Sequence, residues 1–118
     1  MAATKTLLIV EDDATSREAL ADRLHQAGYK VLWAVNGAEA LAMLDRMRPD
    51  LILVDTLSPA LDERHFLRQV KAKNLPPIPI IDVSTTILTH QWIVDRGFIH
   101  KPFDLDEVLK AVQRCLET

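Results

Sequence analysis

The chain has 118 residues, 48% of them hydrophobic, and a formal net charge of -3 at pH 7. This length is typical of one domain with its own core, and the mild acidity argues against binding to nucleic acid or to an anionic membrane surface. Cys115 is the single cysteine, which excludes an internal disulfide and fits a reducing compartment. The N-terminal apolar run is too short for a signal peptide or a membrane span. We therefore expect one cytoplasmic domain over residues 1–118.

In the first half of the chain, apolar runs alternate with helical periodicities. A strand is predicted at 6–10, and apolar residues at helical spacing then indicate a helix that ends at Gly28. A second strand is predicted at 30–35. Asn36 and Glu39 follow it with the spacing of a capping box, which predicts the start of the second helix.

The second half repeats this alternation. Its predicted elements are strand 51–55, helix 62–73, strand 78–84, a weaker helix at 85–96, strand 98–100 and a strongly amphipathic helix at 105–116. Strands that alternate with helices predict a parallel sheet covered by helices on both faces. We expect an α/β fold of five βα units, with a doubly wound five-stranded parallel sheet in the order 2-1-3-4-5.

Polar residues follow the strands at their carboxyl ends. They are Glu11, Asp12 and Asp13 after the first strand, Asp55 at the end of the third, Ser84 at the end of the fourth, and Lys101 after the fifth. In open α/β sheets ligands bind at these ends, and the acids of strands 1 and 3 meet there in the predicted order. Close carboxylates should raise at least one carboxyl pKa unless a cation neutralises them, and oxygen ligands suit Mg²⁺. With a hydroxyl and an ammonium nearby, the set fits phosphoryl chemistry with Asp55 as nucleophile.

These segments together resemble the CheY-like receiver domain of bacterial two-component response regulators. The resemblance rests on "LLIVEDD", "AVNGAEAL", "PDLILVD" with Pro59 four residues after it, "PIPIIDVST" and "KPFDLDEVLKAV". Each segment is weak alone, but their order and spacing are specific together. The resemblance covers essentially the whole chain and implies a flavodoxin-like fold.

The resemblance implies a role for each polar residue at the first and third strand ends. Asp55 would be the phosphoacceptor. Asp12 would bind Mg²⁺ directly, Glu11 partly through water, and Leu57 through its backbone carbonyl. Asp13 would be the variable third acid and would cap the first helix.

The same resemblance implies how the signal is passed on. Ser84 and Lys101 would engage the phosphoryl group, and Phe98 would be the switch aromatic. Independently of the resemblance, we expect three further residues to modulate the site: Asp82, Thr85 and Thr86. A sensor histidine kinase or a phosphotransfer protein would be the donor. The face formed by the fourth helix, the fifth strand and the last helix would signal to an effector domain or protein, or to a second copy in a homodimer. No enzymatic activity is expected beyond self-catalysed phosphotransfer and dephosphorylation.

Three departures from the family pattern favour a second hypothesis, a degenerate receiver that acts only in protein interaction or dimerisation. Asp82 replaces an apolar residue in the fourth strand, where we expect it to make a structural pairing. Glu63 replaces a glycine before the third helix and would be strained at a positive φ. The segment from Ser84 to Lys101 is short, which predicts a short or irregular fourth helix. A third hypothesis is an enzyme on the same fold, such as a flavin protein or a phosphatase. The sequence has no phosphate-binding glycine-rich loop after strand 1, which argues against this hypothesis.

Overall fold

A computed structural model of the chain describes residues 4–54, 63–73, 78–84, 97–100 and 105–116. The strands are β1 (Thr6–Val10), β2 (Lys30–Ala34), β3 (Leu51–Val54), β4 (Ile80–Ser84) and β5 (Gly97–His100). The helices are α1 (Ala14–Gln26), α2 (Gly37–Leu44), α3 (Glu63–Ala72) and α4 (Leu105–Leu116). The predicted helix at 85–96 lies outside the described residues, so its short or irregular form stays a prediction. Within the described ranges, no helix is long and apolar enough to cross a membrane.

The five strands form one parallel sheet in the order β2-β1-β3-β4-β5. This confirms the predicted doubly wound order. The central pair β1 and β3 run in register, from Leu7 opposite Leu51 to Val10 opposite Val54. Adjacent β1 and β3 therefore end at the same level of the sheet.

The core has two layers because successive residues of a strand face opposite sides of the sheet. Leu8 of β1 belongs to a buried cluster that includes Phe66 of α3 and residues of α2. Leu7, the preceding residue, belongs to a second cluster with Leu20 of α1 and Val108 of α4. The runs of apolar residues in β1 and β3 are explained by this burial on both faces.

The start of α2 shows how local capping sets an element boundary. Asn36 Oδ1 accepts a hydrogen bond from the backbone N–H of Glu39 at 2.8 Å, as the capping box predicts. Glu39 Oε1 accepts from the backbone N–H of Val35 at 3.3 Å, so it reaches one residue beyond the cap. Since this bond occupies the Val35 amide, β2 ends at Ala34 and not at residue 35 as predicted.

The end of α1 depends on a glycine. Gly28 has a φ of 100°, which L side chains rarely adopt. Its backbone N–H donates to the carbonyl of His25 at 3.0 Å, which satisfies an acceptor of the last helical turn. α1 ends at Gln26 with Ala27 as its C-cap, so the glycine predicted to stop the helix lies directly after the cap.

Two other boundaries differ from the predictions. β4 begins at Ile80 and not at residue 78, because Pro79 has no N–H to donate to the ladder; its carbonyl still accepts from Ile52 at 3.0 Å. Glu63 is the first residue of α3. A residue in a right-handed helix has a negative φ, so the positive φ that would have strained Glu63 does not occur.

The amino ends of β1 and β3 are joined by a side chain. The backbone N–H of Thr6 donates to Asp50 Oδ2 at 2.8 Å, and the backbone N–H of Asp50 donates to the carbonyl of Thr6 at 2.7 Å. We refer to these two bonds as the Asp50 clamp. They connect residues 44 positions apart in the chain and lie at the end of the sheet opposite to the acids.

Candidate functional site

The first part of the site is the shared carboxyl end of β1 and β3. Val10 and Val54, the last residues of the two strands, are paired in register. Glu11 follows Val10 directly, and Asp55 follows Val54 in the sequence. The two strand ends that precede the predicted acidic ligands are therefore adjacent.

The second part is the carboxyl end of β4 and β5. Ser84 pairs with His100, and Asp82 lies between Val54 of β3 and Phe98 of β5 in the register. The backbone thus places the predicted switch residues Ser84 and Phe98 on neighbouring strands. The other predicted site residues lie outside the described part of the chain: Asp55, Leu57, Thr85, Thr86 and Lys101.

Residues 11–13 link β1 to α1, and we call them the acidic turn. Glu11 is 1% exposed and is the one buried charged side chain among those whose burial the structure describes. Its Oε1 accepts a hydrogen bond from the backbone N–H of Asp13 at 3.1 Å. Its own amide donates to the carbonyl of Ala34 at 3.0 Å, which extends the contact between β1 and β2. A buried carboxylate needs such bonds to offset its desolvation.

The other two acids of the turn differ in their surroundings. Asp13 is the N-cap of α1, and its Oδ2 accepts from the backbone N–H of Ser16 at 3.0 Å. Asp12 is exposed. The capping role expected for Asp13 is confirmed, and the exposed carboxylate of Asp12 is accessible to a ligand from solution.

We expect Asp13→Ala to lower the free energy of unfolding by about 1 kcal/mol, because it removes the cap of α1. Asp13→Asn keeps an acceptor oxygen of similar geometry and should retain most of this stability. Both variants lose one negative charge, so the difference between them isolates the hydrogen bond. Urea denaturation in the absence of divalent cations measures it. Equal stability of the two variants would mean that the cap contributes nothing.

Arg17 and Trp33 also belong to the surroundings of the acidic turn, although neither was predicted as a site residue. Arg17 Nη1 donates to the backbone carbonyl of Glu11 at 3.1 Å. The guanidinium carbon lies 4.4 Å from the centroid of the Trp33 ring. Trp33 is 48% exposed on the edge strand β2. The sequence carries no local pattern that pairs these two residues, since they lie on different elements.

The donor set at the acidic turn is suited to a hard cation. Glu11 and Asp12 offer adjacent carboxylates at the end of β1, and Mg²⁺ prefers oxygen ligands of this kind. Within the described ranges, no three His, Cys, Asp or Glu side chains come together as a metal-binding group. The predicted set requires Asp55 as its third carboxylate, and Asp55 lies outside those ranges.

Comparison with known sequences identifies similar proteins. The family model described as the response regulator receiver domain matches residues 7–113. The response regulator MprA of Mycobacterium leprae is 33% identical over 114 residues, which cover 93% of this chain and 50% of that protein. The chain therefore spans about half the length of the curated relatives it matches.

Solved structures of the same fold cover nearly all of this chain. The chemotaxis response regulator CheY4 of Vibrio cholerae superimposes with a TM-score of 0.87 at 28% identity, over 97% of this chain and 100% of that one. The receiver domain of the sensor histidine kinase PA1611 of Pseudomonas aeruginosa gives a TM-score of 0.82 at 28% identity, over 95% and 97% of the two chains. In that structure a magnesium ion is coordinated in the active site cleft.

Proposed function

This chain belongs to the response regulator receiver domain family, and from that premise we propose that it is a phosphoacceptor in a two-component phosphorelay, with Asp55 as the residue that accepts the phosphoryl group. The observation that supports this most directly is the pairing of Val10 with Val54. It brings the strand end that carries Glu11 and Asp12 beside the strand end that Asp55 follows.

The proposed transfer is a single displacement at phosphorus. A carboxylate oxygen of Asp55 attacks the phosphorus of a phosphohistidine on a sensor histidine kinase or a phosphotransfer protein. The new oxygen–phosphorus bond forms as the phosphorus–nitrogen bond breaks, and the electron pair stays on the imidazole nitrogen. Dephosphorylation follows when water attacks the phosphorus and the Asp55 carboxylate leaves.

The residues around Asp55 neutralise and orient the phosphoryl group. The proposed Mg²⁺ ligands are Glu11, Asp12, Asp55 and the backbone carbonyl of Leu57. Mg²⁺, when bound, offsets negative charge on the transferring phosphoryl oxygens. Ser84 donates a hydrogen bond to one phosphoryl oxygen, and the Lys101 ammonium pairs with another.

The proposed output follows from the same end of the sheet. Ser84 moves toward the phosphoryl group and Phe98 turns inward, while Asp82, Thr85 and Thr86 modulate these steps. The face formed by β5, α4 and the predicted helix 85–96 then signals to an effector domain or protein, or to a second copy of the chain. In support, α4 packs against the sheet and contacts β5, the strand that contains Phe98. We place the domain in the cytoplasm.

Phosphorylation by a small donor tests the proposal. The protein is incubated with phosphoramidate, with and without Mg²⁺, and its intact mass is recorded. We expect one added phosphoryl group, formed only when Mg²⁺ is present. No addition under conditions that label a positive-control receiver would contradict the proposal and favour a phosphorylation-independent interaction module.

A further inference from the structure

We propose that Arg17 is a positioning residue for the acids that bind Mg²⁺, and that the ring of Trp33 holds its guanidinium in place. The inference rests on the proposed function, because it concerns the metal ligands Glu11 and Asp12. It adds a determinant of metal affinity that lies outside the ligand set, on α1 and on the edge strand β2.

Arg17 donates a hydrogen bond to the backbone between the two proposed ligands, Glu11 and Asp12. The carbonyl that accepts from Arg17 Nη1 at 3.1 Å belongs to the peptide unit that joins Glu11 to Asp12. A peptide unit is planar, so a bond to its carbonyl restricts the rotation of the whole plane. Arg17 thereby restricts the orientation of the backbone from which both carboxylates project.

Two backbone amides of the acidic turn are also hydrogen-bonded. The Glu11 amide is bound to the carbonyl of Ala34, and the Asp13 amide is bound to the Glu11 carboxylate. The Arg17 backbone N–H also donates to the Asp13 carbonyl at 2.9 Å, which places the start of its side chain beside the turn. The Arg17 side chain adds a hydrogen bond to the Glu11 carbonyl, which lies between these two amides in the chain.

Trp33 provides the surface against which Arg17 is fixed. A free arginine side chain has many rotamers, and ordering it opposes a hydrogen bond to a single carbonyl. The guanidinium carbon of Arg17 lies 4.4 Å from the Trp33 ring centroid, and tryptophan is the aromatic residue that attracts cations most strongly. The contact also gives a role to a large aromatic side chain that is 48% exposed.

Positioning and simple charge predict opposite effects on Mg²⁺ affinity. A cation near the metal site repels Mg²⁺, so removing it by Arg17→Met would tighten binding if charge alone mattered. If Arg17 positions the acidic turn, the same change weakens binding, because the carbonyl loses its donor. Residues that orient metal ligands typically change affinity by about 10- to 100-fold when they are lost. We expect about tenfold weaker binding, since Arg17 acts through the backbone.

The experiment titrates the full chain with MgCl₂ by isothermal titration calorimetry and records the melting temperature without Mg²⁺. Arg23→Met is the matched control, because Arg23 lies on the same helix and its Nη2 is 2.9 Å from Asp106 Oδ1, a contact with α4. We expect Arg23→Met to keep the wild-type Kd for Mg²⁺. A structural loss alone would lower the melting temperature without changing the Kd of the folded protein.

A second pair of variants tests the contact between the Arg17 guanidinium and the Trp33 ring. These variants also test the inference if Arg17→Met does not fold. Trp33→Leu removes the ring face and should weaken Mg²⁺ binding in the same direction. Trp33→Phe keeps an aromatic face and should bind close to wild type. An unchanged or tighter Kd in folded Arg17→Met, or equal Kd values for the two Trp33 variants, overturns the inference. Wild-type protein that does not bind Mg²⁺ overturns the proposed metal site, and the inference with it.

Discussion

Asp55→Asn is expected to abolish phosphoryl transfer to this domain. The amide has nearly the size of the carboxylate but lacks the anionic oxygen that attacks phosphorus. With a small phosphodonor and Mg²⁺, the intact mass of the wild-type protein should rise by one phosphoryl group and that of the variant should not change. Hydroxylamine should remove the group from the wild-type protein, because it cleaves an acyl phosphate.

Asp13→Asn is the matched control for this result. It makes the same change of carboxylate to amide in the acidic turn, at a residue whose carboxylate caps α1 and does not belong to the proposed ligand set. We expect it to be phosphorylated like the wild-type protein. Labelling that persists in Asp55→Asn would move the phosphoacceptor to another residue.

Asp12→Ala is expected to remove the stabilisation of the folded protein by Mg²⁺. A cation that binds only the native state stabilises it by about 2.7 kcal/mol at a concentration 100 times its Kd. Asp12 is exposed, so its loss should change stability little in the absence of metal. Urea denaturation with and without Mg²⁺ should show that the cation raises the free energy of unfolding of the wild-type protein by this amount and that of the variant hardly at all. We call this rise the Mg²⁺ increment.

The control for Asp12→Ala again comes from the neighbouring acid. Asp13→Asn also removes one negative charge from the acidic turn but leaves the proposed ligands intact, so it should retain the Mg²⁺ increment. An undiminished increment in Asp12→Ala would place the cation elsewhere. Absence of any increment in the wild-type protein would argue against a metal site at this end of the sheet.

Local sequence patterns were enough to predict most of the fold. The apolar runs of β1 and β3 are visible in the composition of each segment, and the cap at Asn36 and the glycine at Gly28 depend on contacts within a few residues. Such signals do not require knowledge of tertiary structure. Two strand boundaries differ from the predictions. At Val35 the backbone N–H donates to Glu39 and not to a strand, and at Pro79 there is no N–H to donate.

The site was predicted less completely than the fold. The adjacency of Glu11 to the strand end before Asp55 follows from strand order, and the cap at Asp13 follows from its place before α1. The contact of Arg17 with Trp33 joins two elements, and its bond to Glu11 uses a backbone carbonyl that every residue possesses. Neither contact leaves a signature in the sequence.

The Asp50 clamp has a consequence for the carboxyl end of the sheet, although it lies at the amino end. A slip of β3 by one residue against β1 would displace Val54 by about 3.3 Å along the strand and turn every side chain of β3 to the other face. The two bonds between Thr6 and Asp50 oppose that slip. The register that places the end of β1 beside the end of β3, where phosphoryl transfer is proposed, is thus supported from the opposite end of the sheet by the Asp50 carboxylate.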